Sequence, residues 1–196
     1  MNATNTTGAE QEVESRPREQ RLVLYHPTST GNGAALQLEP RLNRRESDRY
    51  NCFFLELATQ KTTAGKDGDR KVPATFDWEH KLTVKLDFPD ICELLTVLEG
   101  RADKAGGQRN GLYHENGRSN TMISFQRGEK GGYCLGLSRK DKASGQIARV
   151  QIVLSEPEAT GLRSIFQIGL FFITFHAHLV AGPGRSGLPT AEPQNH

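Results

Sequence analysis

The stretch from Thr75 to Gly100, TFDWEHKLTVKLDFPDICELLTVLEG, changes its hydrophobic period once, and that change constrains the fold more than any other feature. Lys81 to Leu86 alternates polar and apolar residues, the period of a strand with one wet face and one buried face. Phe88, Ile91, Leu94, Leu95 and Leu98 then recur at helical spacing. Asp87 suits the N-cap, Pro89 the first turn, Asp90 the positive end of the helix dipole and Gly100 the stop. The same switch recurs at Ser155-Glu156-Pro157-Glu158, a capping box with proline in its first turn. Two such switches predict two rounds of strands, each closed by a helix.

The remaining segments fill the two rounds. Leu22 to Tyr25, Ala34 to Leu38 and Tyr50 to Leu57 read as strands before the first switch. In the third, Phe53, Leu55 and Leu57 share one face, and Tyr50, Cys52, Phe54 and Glu56 the other. Thr59 to Lys71 reads as a long polar loop. After the Gly-rich connection Arg101 to Asn110, four strands are expected at 112–115, 120–126, 133–138 and 147–154. Glycine-bearing turns separate them. The second helix is expected to run to about His178, apolar nearly all round from Ile165 to Val180. That run is shorter than the roughly 20 residues a bilayer asks for, and His176 and His178 lie within it. It reads as a helix buried against its own sheet and against other subunits, with no membrane role. Strands from hairpins with helices at their ends give an α+β domain.

The chain of 196 residues allows one substantial core. Residues 1–20 and 181–196 are poor in large apolar side chains and read as disordered tails, leaving a domain at 21–180. That domain carries 22 basic and 18 acidic residues, a net +4, which permits a polyanion partner without demanding one. Cys52, Cys92 and Cys134 are scattered and odd in number, arguing for a reducing compartment and against disulfides or zinc. With no signal-peptide pattern and an acidic N-terminal stretch, a cytoplasmic location is expected.

Constellations for catalysis are lacking, and no enzyme is expected. No H-x-x-x-H or G-x-S-x-G occurs, and His176 and His178, two apart on a helix, diverge. Gly128 to Gly132 lacks the G-K-[ST] of a phosphate loop and precedes a strand, so it reads as a hairpin turn. No metal or cofactor is expected. What stands out is a surface pattern. Lys81, Lys85, Arg118, Arg127, Arg139, Lys140, Lys142 and Arg149 fall in loops or on presumed wet faces, interleaved with Tyr25, Phe54, Tyr113 and Tyr133. Rings to stack bases and cations to follow phosphates suit single-stranded nucleic acid.

Several segments then resemble a known family. Gly33-Ala34-Ala35-Leu36-Gln37-Leu38-Glu39-Pro40 resembles the K-G-K-A-A-L-x-V-E-P stretch of the Whirly single-stranded DNA-binding proteins. Phe76-Asp77-Trp78-Glu79-His80-Lys81 resembles their Y-D-W-x-x-K segment, and the terminal helix with Phe175-His176-Ala177 is similar to theirs, which ends in W-H-A. The resemblance implies two four-stranded antiparallel sheets packed face to face in the order ββββα-ββββα. It implies a homotetramer built through the C-terminal helix, holding single-stranded DNA along sheet edges between subunits. It implies little sequence preference and a role in transcription, DNA repair or genome maintenance. The kinetoplastid guide-RNA-binding proteins share this fold, so RNA is the alternative ligand. A protein-interaction module without nucleic acid is the rival from another class. The family's two lysines before A-A-L are missing here, where Gly31, Asn32 and Gly33 stand. On this reading the nucleic-acid contacts are expected from Ala34, Leu36, Phe54, Trp78, Lys81, Tyr113, Arg127, Tyr133, Arg139 and Lys140.

Overall fold

The structure, a computed structural model, describes residues 21–41, 51–129 and 131–175. The expected tails, Tyr50 and the expected end of the second helix with His176 and His178 lie outside them. The first round comprises β1 (Leu22–His26), β2 (Ala34–Arg41), β3 (Cys52–Thr62), three short strands β4 (Gly65–Asp67), β5 (Arg70–Val72) and β6 (Thr75–Phe76), then β7 (Leu82–Leu86) and α1 (Phe88–Leu98). The second comprises β8 (Leu112–Glu115), β9 (Ser119–Arg127), β10 (Tyr133–Asp141), β11 (Ile147–Leu154) and α2 (Glu156–Phe175). One sheet runs β1-β2-β3 with β7 on the far side of β3 and β6 on the end of β3. The other runs β11-β10-β9-β8, and all the pairings are antiparallel.

Alternation along the strands sets what is inside. Leu36, Leu57 and Leu82 lie in register across the first sheet, as do Phe125, Leu135 and Ile152 across the second. All six are buried in one shared core. The second sheet lies against the first through β11, which crosses β2, β3 and β7. Leu94 of α1 and Leu162 and Phe166 of α2 meet Leu55, Phe125 and Leu135 at its centre, leaving a void of only about 10 Å³. Gly169 permits this closeness: a Cβ there would stand 2.5 Å from the Phe53 ring, which also packs edge-on against Phe166 at 5.7 Å.

Both helices start as the sequence predicts. Asp90 Oδ2 accepts from the Asp87 backbone N–H at 3.0 Å, and Asp87 Oδ1 from that of Asp90 at 3.5 Å. In α2, Glu158 Oε2 accepts from the Ser155 backbone N–H at 2.8 Å and from its hydroxyl at 2.7 Å. Each box is also reached by a histidine from the other round. His26 of β1 places Nε2 2.8 Å from Glu158 Oε1, and His114 of β8 places Nε2 2.9 Å from Asp90 Oδ1. The two contacts are counterparts: the first strand of each round latches the helix of the other.

The region 59–71 differs from the expected polar loop. β3 continues to Thr62, and β4 and β5 form a separate hairpin turned at Gly68, where φ is +61°. Strands of three residues without apolar alternation leave no periodic trace in the sequence. β10 also continues three residues beyond the expected Ser138, to Asp141. Among the described residues, no helix is long and apolar enough to cross a membrane.

Candidate nucleic-acid interface

Because the sheets pack face to face, each keeps one outer face. On the first, the odd residues of β2 and the even residues of β3 point away from the core. The centre of this face is Glu56, 8% exposed, which accepts from Gln37 Nε2 at 2.9 Å, Lys81 Nζ at 2.8 Å and Thr83 Oγ1 at 3.1 Å. A buried carboxylate is tolerated when its charge is matched and its lone pairs are filled, as here. Lys81 is therefore half-buried and engaged within the protein. Phe54 lies on the same face, in register with Glu39 on one side and Lys85 on the other, and is half-buried.

At one end of this face three rings gather. Tyr25 of β1 lies 5.4 Å from Phe76 of β6 and 6.5 Å, edge-on, from Trp78. Between β1 and β6 the intervening strands offer Ala35, in register with Tyr25, and Ala58, in register with Ala35. Both alanines are fully covered. Small residues at these two positions leave room above the sheet for rings from flanking strands to meet. Tyr25 remains 56% exposed, with Phe76 and Trp78 half-buried. The turn carrying Trp78 is fixed by Asp77, which accepts from the His80 ring at 2.8 Å and from its backbone N–H at 3.3 Å. The His80 ring holds the Asp77 carboxyl below the ordinary aspartate range, and Lys61 adds to the effect. Asp77, Glu79 and His80 bring ligand atoms within 4.8 Å of one another, a proximity that this turn itself explains.

The loop 27–33 beside the rings is pinned by Gln60. Its Oε1 accepts from the backbone N–H of Thr28 at 2.8 Å and of Gly33 at 3.0 Å, and its Nε2 donates to the Thr28 carbonyl at 3.0 Å. A Cβ at Gly33 would lie 2.3 Å from both Gln60 Oε1 and the His26 carbonyl oxygen, so this close approach of backbone and side chain needs glycine.

The expected contact residues do not form one surface. Ala34 and Leu36 point into the core, at 4% and 0% exposure; the outward residue of that motif is Ala35, the floor beneath Tyr25. Tyr133 is also a core residue, stacked on Phe125 at 5.6 Å. Arg139 bridges the sheets, donating to the Thr83 carbonyl oxygen of β7 and, at 3.2 Å, to Thr121 Oγ1 of β9. Arg127 is exposed at the end of β9, 3.5 Å from Glu156. Tyr113 and Lys140 are exposed on the outer face of the second sheet, the opposite side of the molecule from Phe54, Trp78 and Lys81. Phe54, Trp78 and Lys81 thus share a face, whereas Tyr113 and Lys140 belong to another. Phe76 was not an expected contact, because a two-residue strand shows no pattern. The thiols of Cys52, Cys92 and Cys134 are all pushed up by burial, which suppresses thiolate chemistry.

No protein-family model matches the chain, and no curated protein matches its sequence. Solved structures do match its fold. WHY3 from Arabidopsis thaliana is similar at a TM-score of 0.60 and 19% identity, covering 82% of this chain and 91% of its own. The plant transcriptional regulator PBF-2 is similar at 0.57 and 19%, covering 80% of this chain and 82% of its own. Trypanosome MRP1/MRP2 is similar at 0.51 and 16%, covering 79% of this chain and 85% of its own. The fold is that shared by the Whirly proteins and MRP1/MRP2.

Proposed function

We propose that this chain of Whirly fold binds single-stranded nucleic acid, DNA in the first place, with little sequence preference, in transcription regulation or DNA maintenance. The observation that carries the reading is the ring cluster Tyr25–Phe76–Trp78, with Tyr25 more than half exposed, on the outer face of the first sheet. Every base has a flat face, so stacking on such rings tolerates any sequence and contributes about 1–3 kcal/mol per base. Three rings at one end of a sheet suit splayed single-strand bases and have nothing to offer a closed duplex. The shared fold with a plant transcriptional regulator supports a role on DNA. The likeness to MRP1/MRP2, counted among guide-RNA-binding proteins, supports RNA as the second reading.

The working form is a homotetramer joined through α2. Ile168, Phe171 and Phe175, spaced for one helix face, are 62%, 56% and 69% exposed, while the opposite face packs on Phe53. A patch of this kind on a soluble helix calls for a partner.

Fluorescence anisotropy with labelled single-stranded DNA, single-stranded RNA and duplex DNA of equal length, over a salt series, tests the reading. Single-stranded DNA should bind tightest, with affinity falling as salt rises. Tyr25→Ala and Trp78→Ala should each weaken binding about 5- to 150-fold. Tighter binding of RNA would move the ligand to RNA, and no binding to any of the three at low salt would leave a protein-interaction module.

A further inference from the structure

The hairpin β4–β5 belongs to neither packed sheet. Its strands pair only with each other, and every residue from Lys61 to Pro73 is exposed. The core does not require it. The strands flanking it are already closed at its root, where Thr62 Oγ1 lies 2.8 Å from Thr75 Oγ1 and accepts from the Thr75 backbone N–H at 3.1 Å. A two-stranded hairpin with no buried face contributes little stability of its own.

Its cations outnumber its acids, with Lys66, Arg70 and Lys71 against Asp67 and Asp69, and Asp67 stands opposite Arg70 in the register. Arg41, Lys81, Arg101, Arg127 and Lys142 each sit within ion-pair distance of a carboxylate. The side chains of Lys66, Arg70 and Lys71 form no ion pair or hydrogen bond among the described residues. In the hairpin register Lys66 stands directly opposite Lys71. Like charges directly opposite one another on the same face destabilise a strand pair, so this face is better matched by an external anion than by the protein itself.

The position of the hairpin identifies the anion. It rises from β3 and β6, and one register step inside its root Gln60 pairs with Phe76, a member of the ring cluster. A strand stacked on Tyr25, Phe76 and Trp78 would present its phosphates beside the hairpin. We propose that β4–β5 is a phosphate clamp, in which Lys66 and Lys71 together hold the backbone of the strand whose bases stack on the rings. The inference rests on the nucleic-acid reading above and adds a second, sequence-independent contact to it.

The test is the slope of log affinity against log salt for single-stranded DNA, on the full chain and its K66Q/K71Q double variant. Each phosphate contact to a single strand contributes about 0.7 to the slope, so the variant's slope should be shallower by about 1.4. Its thermal midpoint should be unchanged or raised, since the repulsion is gone. A parallel Tyr25→Ala variant should lose affinity at every salt concentration with an unchanged slope. If the full chain binds and the double variant shows the same slope, the clamp is wrong and the nucleic-acid reading stands. If the full chain does not bind single strands at low salt, both fall together.

Discussion

Glu56 shows how much of the outer face is internal structure. Its carboxylate gathers Gln37, Lys81 and Thr83, so Glu56→Ala leaves a half-buried cation and two polar groups without their acceptor. A loss of about 1–3 kcal/mol in urea unfolding is expected, moderated because Lys81 is 36% exposed in its side chain. Gly169→Ala carries the opposite lesson. Alanine gains about 1 kcal/mol of helix propensity over glycine, yet its Cβ would strike Phe53 at 2.5 Å. The clash wins, and a net loss of about 1–3 kcal/mol should appear as a lowered denaturation midpoint. The inward placement of Leu36 and Tyr133 was legible at this scale. Leu36 and Leu38 alternate with Gln37 and Glu39, and Tyr133 with Cys134 ahead of Leu135 and Leu137. Reading Leu36 as a contact follows a motif against that alternation; the structure sides with the alternation. The pairing of Tyr25 with Phe76 was not legible, since it depends on two alanines in separate strands lining up between them.

Among the elements, the Ser155–Glu158 box and the Asp87 cap were written in the sequence, because a cap is a local device of three or four residues; the reciprocal bond of Asp90 to the Asp87 N–H completes the first box. Their histidine latches were not, since His26 and Glu158 are 132 residues apart. The two boxes answer acid differently. Burial pushes the Glu158 carboxyl up, but the Ser155 N–H, the His26 ring and the Ser155 hydroxyl together hold it below the ordinary glutamate range. A lowered carboxylate stabilises the fold above its unfolded value, and that stability is lost as pH falls through the folded one. Burial dominates at Asp90 and leaves its carboxyl raised, despite the Asp87 N–H and His114. Its ionised form is disfavoured in the fold, so falling pH relieves that cost. The thermal midpoint of Glu158→Gln should therefore fall less steeply than that of the parent below about pH 4.3. An unaltered acid limb would show that the Glu158 latch contributes nothing. The hairpin β4–β5 escaped sequence reading for the opposite reason from the latches: it is local, but too short and too polar to show a period.

The plan of the whole molecule was the most legible feature, because the hydrophobic period switches from two to 3.6 only twice, and each switch closes a sheet. Which outer face carries a ligand was less so. Alternation names the residues that share a face, and says nothing of which faces remain uncovered once sheets and subunits pack. The apolar stripe on α2 ties this question to assembly. If the proposed tetramer forms through this stripe, Phe171→Glu should shift it toward monomer in sedimentation velocity, while its secondary structure by circular dichroism persists. A monomeric parent would remove α2 from the proposed assembly. The crossed histidines bear on the chain as a unit. Each half supplies the lock for the other's helix, and Lys104 and Ala105, at the end of the first half, reach across to Gln126 and Phe125 of the second. Neither half is then a complete object in its own right. Severing the exposed link after Gln108 should yield two fragments that remain unstructured apart and reassemble when mixed, so the protein could serve as a split reporter whose signal reports that both pieces share one compartment.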